Sequence, residues 1–225
     1  MKKEIEIKVP TNWDGVTLSQ YLKLQRDIEV YGDDEIAYTA TLLYHLCGVT
    51  PQMIPQLPTD ILNSIKSDLR AFMGKNDFEL KPIIKIKGKE YGFEPNLSKM
   101  SYGAYLDVTK FESINIDKNW KHIMGVLYRP VTSKTLKLYD IEPYDSTKVD
   151  ADIFEDVSMD VHFAVFFYLI NTLADLVNDT LNSLKEVELP PNIKSTLVRN
   201  GEIIKQLYNY QETISPNSMM YFKGH

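Results

Sequence analysis

The chain has 225 residues, of which 44% are hydrophobic and 25% are charged, a composition typical of an ordinary globular protein and not of wholesale disorder. Its net charge is −6 and its Lys and Arg residues are scattered. The sequence therefore lacks the basic stripe that phosphate binding requires, and we expect no specific nucleic-acid partner. A single cysteine, Cys47, excludes an internal disulfide and indicates folding in a reducing compartment. The N-terminal residues alternate polar and apolar without a signal-peptide core, which predicts synthesis in the cytoplasm.

The first 75 residues predict a strand followed by a small helical unit. Lys3–Val9 alternates strictly between apolar and polar residues, which is typical of a half-buried edge strand. Thr17 and either Asp33 or Asp34 are predicted helix N-caps, and Gly48 a helix stop. Two later signals, Thr50-Pro51 and Thr59, predict a short helical turn over 52–54 and a further helix. The residues expected to face inward from the second and last helices are Ile36, Ala37, Ala40, Leu43, Cys47, Ile61, Leu62, Ile65, Leu69 and Phe72.

Residues 76–143 predict a hairpin followed by helices. Alternating isoleucines and lysines over 83–86, a turn at Gly88-Lys89 and a return through Tyr91 and Phe93 indicate two antiparallel strands. Helical spacing recurs over Leu97–Phe111 and again after Asn119, a predicted cap. Four residues of that second helix should line one side: Trp120, Ile123, Met124 and Leu127. Pro130 should end it, with a short strand over 135–141 after it.

Residues 144–225 predict an acidic linker, a long helix and a C-terminal helix with a tail. The long helix, at about 157–186, contains FAVFFYLI and is apolar on nearly every face of its first turns. A helix of this kind must be buried in protein or in a membrane. Its dense apolar run covers only Val161–Ile170, whereas a membrane span needs about 20 apolar residues. We therefore expect a buried core or interface helix and no membrane anchor.

The elements together predict an α+β fold that is mostly α, with helical bundle units and a small antiparallel sheet or hairpin. Three segments follow: 1–75, 76–143 and 144–225. Residues 18–22, LSQYL, are echoed by residues 102–106, YGAYL, and each group follows an extended segment that ends at a proline. Two interpretations stay open: the second segment is a degenerate repeat of the first, or the two are unrelated amphipathic helix starts.

The residues that most often carry chemistry form no recognisable motif. The four histidines are His45, His122, His162 and His225, and the His45/Cys47 spacing fits no usual zinc pair. His162 is interpreted as a packed or interface histidine. No phosphate-binding glycine loop and no hydrolase or zinc-protease signature is present. We therefore predict no enzyme activity, no metal and no cofactor.

An acidic cluster precedes the long helix. Its members are Asp150, Asp152, Glu155, Asp156 and Asp160. It lacks the glycine and the final glutamate of a calcium loop. A solvated linker that places negative charge at the helix N-terminus is the preferred interpretation, and a docking surface for a basic partner is the alternative.

Aromatic residues are abundant, with 14 tyrosines and nine phenylalanines. Tyr and Phe are enriched at the centres of protein–protein contacts, so a chain rich in them fits an interaction protein. We predict that the C-terminal tail docks on a neighbour or on the body of the protein. The predicted partner-binding residues are Tyr208, Tyr210, Met219, Met220, Tyr221, Phe222, Phe166 and Phe167.

Several segments resemble proteins from the structural gene blocks of tailed phages, particularly Bacteroidetes phages of the crAss-like kind. The opening VPTNWDGVTLSQYLKL is similar to the start of phage tail-assembly-chaperone-like proteins, in which an edge strand precedes a helix start. LCGVTPQMIPQLPTDIL, EYGFEPNLSKMSYGAYLDVTKF and WKHIMGVLYRPV also resemble that group. The likeness covers roughly residues 1–130 and rests on packing signals, so it transfers no catalytic residue.

The resemblance implies a non-enzymatic virion protein that is made in the host bacterial cytoplasm and used in many copies. Its expected partners are other tail, portal or capsid-interior subunits, or further copies of itself as a homo-oligomer. Cargo inside the capsid or tail is favoured over a ring subunit near the portal, because a ring needs long exposed strands or loops and this sequence predicts compact helices. The alternative is a tail-assembly chaperone that is absent from the mature virion, and a third class is a small cytoplasmic enzyme.

Overall fold

The computed structural model describes residues 7–31, 34–75, 77–109, 118–136 and 138–184. In these residues the fold is α+β and mostly α, as predicted, with six α-helices and one four-stranded sheet. The helices are α1 (Leu18–Tyr31), α2 (Glu35–Cys47), α3 (Thr59–Met73), α4 (Tyr102–Thr109), α5 (Trp120–Leu127) and α6 (Met159–Leu184). The strands are β1 (Ile83–Ile86), β2 (Lys89–Phe93), β3 (Tyr128–Lys134) and β4 (Tyr139–Ile141).

The sheet is an antiparallel meander in the order β1-β2-β3-β4. The predicted hairpin is confirmed, with the turn one residue earlier than expected. Lys87 and Gly88 form that turn at φ 47° and 86°, and Ile86 pairs with Lys89 across it. Two successive positive φ angles are the signature of a type I′ turn, whose twist matches that of the two strands. Glycine takes such an angle without strain, which explains its place at the second position.

Side chains cap two of the N-terminal helices as the sequence predicts. Thr17 Oγ1 accepts a hydrogen bond from the Gln20 backbone N–H (3.3 Å), and Gln20 Oε1 accepts one from the Thr17 N–H (2.9 Å). This reciprocal pair is a capping box. Asp34 is the second cap, because its carboxylate accepts from the N–H groups of Ile36 and Ala37. Gly48 ends α2 in the left-handed conformation at φ 68°.

Main-chain hydrogen bonds join the starts of α1 and α6. The Leu18 N–H donates to the Val157 carbonyl (3.0 Å), and the Met159 N–H donates to the Val16 carbonyl (2.7 Å). Thr17 and Ser158 thereby form an antiparallel bridge. The first turns of the two helices are therefore held side by side.

The first part of α6 lies in the centre of the core, as its all-round apolar character predicts. Phe163 is fully buried, with its ring 5.2 Å from that of Trp13 and 5.6 Å from that of Tyr21. Trp13 in turn packs on Phe72 of α3 at 4.4 Å. Burial of one such ring stabilises the fold by roughly 1.5–3 kcal/mol. Residues from all three predicted segments belong to one hydrophobic cluster around α6. The segment boundaries themselves stay a prediction.

The prediction is wrong for two of the residues expected to face inward. Ile36 is 82% exposed and Ile61 is 45% exposed. Each lies in the first turn of its helix, where the apolar stripe begins before the helix reaches its packing partner. Buried faces begin later, at Tyr38 in α2 and Ile65 in α3.

Several predicted boundaries also shift. Thr59 is the first residue of α3, and Pro58 occupies the cap position without a side-chain bond. The helical turn predicted over 52–54 is a 3₁₀ helix at Ile54–Gln56. Helix α5 ends at Leu127, before Pro130, which lies inside β3 because its fixed φ suits an extended chain. Of the predicted strand Lys3–Val9, residues 3–6 lie outside the described residues and residues 7–9 form no strand.

The interpretation of 143–160 as a solvated acidic linker is wrong for its second half. A 3₁₀ helix spans Asp152–Asp156, and its Phe154 is buried together with Ala151 and Val157. Residues 149–157, which we call the wall segment, form one side of the core. The predicted C-terminal helix and tail lie outside the described residues.

We predict that Thr17→Ala lowers the free energy of unfolding by about 1 kcal/mol, because it removes the acceptor for the Gln20 N–H at the start of α1. Urea unfolding followed by circular dichroism measures the difference.

Thr59→Ala is the matched control, since this exposed threonine also begins a helix but is not a side-chain cap. We expect it to stay within about 0.5 kcal/mol of the parent. Equal effects of the two substitutions would contradict the capping box.

Candidate interaction site

Helix α4 carries an exposed aromatic face. Tyr102 is 74% exposed, Tyr105 52% and Leu106 45%, whereas Ala104 is buried. The three exposed residues are spaced i, i+3 and i+4, so they share one face of the helix. The rings of Tyr102 and Tyr105 stack with their centroids 6.5 Å apart and their planes 22° apart. We call Tyr102, Tyr105 and Leu106 the α4 aromatic face.

The loop after β4 anchors α4 to the body of the protein. The Tyr144 hydroxyl donates a hydrogen bond to the Asp107 carboxylate of α4. Burial and this bond raise the pKa of Tyr144 well above its usual value, so its hydroxyl stays protonated and can donate. The Tyr144 ring lies 3.6 Å from where a Cβ on Gly103 would stand, so a side chain at position 103 would reach the ring. Tyr144 thus fixes the position of the aromatic face.

A groove runs beside α4. Its outer part, about 670 Å³, is shallow and lies between Gly103 and residues 142–148. It continues into a deeper pocket of about 310 Å³ between the sheet, α5 and the wall residues 149–154. The residues that line both parts are Glu142, Pro143, Tyr144, Asp145 and Lys148. The groove and the α4 aromatic face together form our candidate interaction site.

Charges in the groove are balanced. Arg129 pairs with Glu94, and both side chains are largely buried. Lys148 pairs with Asp145 at 3.3 Å, while Lys89, Glu142 and Asp150 also line the pocket, which gives three basic and three acidic lining residues. A groove of this composition carries no strong net field of either sign. The groove is therefore better suited to form the polar rim of an aromatic protein–protein contact than to bind a multiply charged anion.

Close packing of α5 shapes the floor of the deeper pocket. A Cβ on Gly125 would stand 2.6 Å from Val149 Cγ1 and 3.6 Å from the Phe154 ring. A separation of 2.6 Å is closer than Cβ atoms come to other atoms in proteins, whereas 3.6 Å is an ordinary contact. Glycine at position 125 therefore lets the wall segment approach α5 and sets the width of the pocket.

Of the predicted partner-binding residues, two can be located. Phe166 is buried in the core, where its ring meets that of Trp120 edge to face at 5.5 Å. Phe167 is partly buried and stacks on Phe78 at 5.5 Å. Both rings therefore serve packing within the chain. The other six lie outside the described residues: Tyr208, Tyr210, Met219, Met220, Tyr221 and Phe222.

Three of the histidines, His45, His122 and His162, and the single cysteine, Cys47, lie among the described residues. His45 Nε2 lies 2.7 Å from the Asp27 carboxylate, and His122 is exposed. His162 is fully buried, in agreement with its interpretation as a packed histidine. Burial raises the pKa of Cys47 to about 11, so its thiol is a poor nucleophile at neutral pH. Within the described ranges, no three His, Cys, Asp or Glu side chains meet in a way that would hold a metal ion.

Lysines of the chain itself neutralise most of the acidic cluster. Lys121 Nζ lies 2.7 Å from Asp152 and 2.6 Å from Glu155. Asp156 pairs with Lys87 at 3.2 Å, and Asp160 pairs with Lys81. The negative charge that the sequence places before the long helix is therefore used for contacts within the fold.

Reasoning from sequence missed the α4 aromatic face and the groove. The i, i+3, i+4 spacing of Tyr102, Tyr105 and Leu106 is a usable signal for a shared helix face, but spacing alone does not show that this face is exposed. The Arg129–Glu94 and Tyr144–Asp107 pairs join residues far apart in the chain, and no local pattern announces them.

Across the described part of the chain, no helix is long and apolar enough to cross a membrane.

We predict that Gly125→Ala lowers the free energy of unfolding by about 1–3 kcal/mol, because the added methyl group overpacks the contact with Val149. Alanine inside a helix otherwise stabilises by up to about 1 kcal/mol relative to glycine, so a stabilised variant would show that the contact is not tight. Chemical unfolding measures the sign.

The double variant Gly125→Ala/Val149→Ala tests the cause. Removal of the Val149 methyl groups should recover part of the loss, so that the two substitutions are less damaging together than their sum. Strictly additive effects would place the strain elsewhere.

Comparisons with protein-family models, with curated proteins and with solved structures give no significant match.

Proposed function

We propose that this protein is a non-enzymatic virion component of a tailed phage of the crAss-like kind and that it acts through protein–protein contacts. It is a multi-copy cargo protein of the capsid or tail interior, or a structural component near the tail or portal. The observation that carries the contact role is the α4 aromatic face beside the groove. The sequence resemblance over roughly residues 1–130 supports the phage context.

The α4 aromatic face has the physical character of a contact centre. Two tyrosines and a leucine expose apolar surface to water, which is unfavourable in free energy. A partner that covers this surface would gain that free energy on binding. Tyrosine suits this role because its large ring has few rotatable bonds and its hydroxyl can hydrogen-bond at the edge of the contact. The two stacked rings already restrict one another, so less conformational entropy would be lost on binding.

The groove supplies the rim of the same contact. Its paired charges, Arg129 with Glu94 and Lys148 with Asp145, are neutralised before any partner arrives. A partner therefore need not bring compensating charge of one sign into the groove. An aromatic centre with a balanced polar rim is the usual anatomy of a specific protein–protein interface.

Quantitative mass spectrometry of purified particles from the encoding phage tests the virion assignment. We expect many copies per particle at a constant ratio to the capsid protein. Abundance in infected cells together with absence from purified particles would support the alternative, a tail-assembly chaperone, and would overturn the virion assignment.

We predict that the double variant Tyr102→Ser/Tyr105→Ser folds with a stability close to that of the parent but loses its place in the particle. Both side chains are more exposed than buried, so their removal should cost little folding free energy. A tagged copy expressed in infected cells should show at least a tenfold drop in particle incorporation.

Ile36→Ser is the matched control, because it removes an exposed apolar side chain from α2 and leaves α4 intact. We expect incorporation of this variant to equal that of the parent. A well-folded double tyrosine variant that is incorporated normally would contradict the role of the α4 aromatic face while leaving the virion assignment in place.

A further inference from the structure

His162 is a fully buried histidine with a donor on one side and an acceptor on the other. The Trp120 indole N–H donates to His162 Nδ1 at 3.0 Å, and His162 Nε2 lies 3.0 Å from the Phe154 carbonyl oxygen. An indole nitrogen can only donate and a carbonyl can only accept. Nδ1 must therefore be unprotonated and Nε2 must carry the hydrogen. Both contacts together are compatible only with the neutral imidazole.

These contacts join three elements that are separate in the chain. Trp120 is the first residue of α5, Phe154 lies in the wall segment, and His162 lies in the first turn of α6. We call this set of three residues the His162 junction. All three are buried, so water cannot replace either hydrogen bond without movement of an element.

We propose that the His162 junction is an acid-sensitive connection, in which protonation of Nδ1 turns the acceptor of the Trp120 bond into a second donor and separates α5 from α6. The Trp120 indole N–H and the new Nδ1–H would then face each other at 3.0 Å, a separation that suits a donor and an acceptor but not two donors. This inference does not depend on the proposed virion role.

The charged groups around the junction do not compensate a buried cation. On its own helix, Asp160 favours the protonated ring, but Lys81 already pairs with that carboxylate. From α5, Lys121 and His122 follow Trp120 in sequence. From the wall segment, Asp152 and Glu155 are paired with Lys121, and Asp156 is paired with Lys87. Protonation would therefore place a poorly neutralised charge in the core.

Burial accordingly lowers the pKa of His162 to about 4, against about 6.5 for a histidine in the unfolded chain. Between these two values the unfolded chain binds the proton and the native chain does not. Stability is therefore greatest above about pH 6.5 and falls as the pH drops toward 4. For this one group the unfolding equilibrium constant should rise on the order of 100-fold between pH 7 and pH 4.

A second connection between α5 and the wall segment should survive the first stage of acidification. Lys121 holds Asp152, and this bond lowers the pKa of the Asp152 carboxyl below its usual value. The ion pair therefore persists at pH values at which His162 begins to take up its proton. The expected first event is movement of α6 away from α5, while α5 and the wall segment stay connected.

The test compares the full-length parent with His162→Gln, a side chain that does not titrate but can both donate and accept. Urea unfolding at pH 7.0, 5.5 and 4.5 should show that the free energy of unfolding of the parent falls with the pH. The variant should lose less, because it has no side chain at position 162 that binds a proton on unfolding. His122→Gln, the exposed histidine beside Trp120, is the control and should keep the pH dependence of the parent. Equal pH profiles for the parent and His162→Gln would overturn the proposal.

A direct probe keeps the proposal testable if His162→Gln does not fold. The Trp120 indole N–H gives a proton–nitrogen NMR signal, which a Trp13→Phe variant distinguishes from that of the other tryptophan. We expect this signal to shift or broaden as the pH falls from 7 to 4.5, before the backbone signals of β1 and β2 change. An indole signal that stays unchanged until global unfolding would refute the junction as an acid-sensitive element.

Discussion

One constraint organises the molecule: the first turns of α6 are apolar on every side and must be enclosed by protein. Val161, Phe163, Val165 and Phe166 point in different directions around the helix, and each is buried. A sheet or a single helix can cover only one side of such a rod. Contributions from Trp13 before α1, from α5 and from the wall segment are needed to close the others. The short helices and 3₁₀ turns around α6 are therefore parts of one enclosure.

The sequence predicts elements well where local chemistry decides them. Each of four features can be recognised from a pattern of a few residues: the capping pair Thr17 and Gln20, the cap at Asp34, the hairpin around Gly88 and the apolar run of α6. It fails where a distant partner decides. Ile36 belongs to an apolar stripe by spacing, yet its side chain in the first turn of α2 is exposed. Conversely, Phe154 sits among acidic residues that suggest solvent, yet α5 and the sheet bury it.

The candidate site shows the same division. The partner-binding prediction included Phe166 and Phe167 because Phe is enriched at protein–protein contacts, but both rings pack within the chain. The exposed aromatic residues belong to α4, a short helix whose sequence looks less hydrophobic. Its position depends on Tyr144, which follows the sheet and reaches Asp107 across the groove. No spacing rule connects those two positions, so only the folded arrangement brings them together.

The bridge between Thr17 and Ser158 has a consequence for how the protein is made. Both of its hydrogen bonds join backbone atoms at the start of α1 to backbone atoms at the start of α6. During synthesis α1 emerges long before α6, so Trp13 and Tyr21 are made well before Phe163, whose ring contacts both of theirs. A chain that ends before α6 lacks the helix that covers these side chains in the folded protein. Closure between segments this far apart in the chain is slow, so this contact is expected to form late in folding.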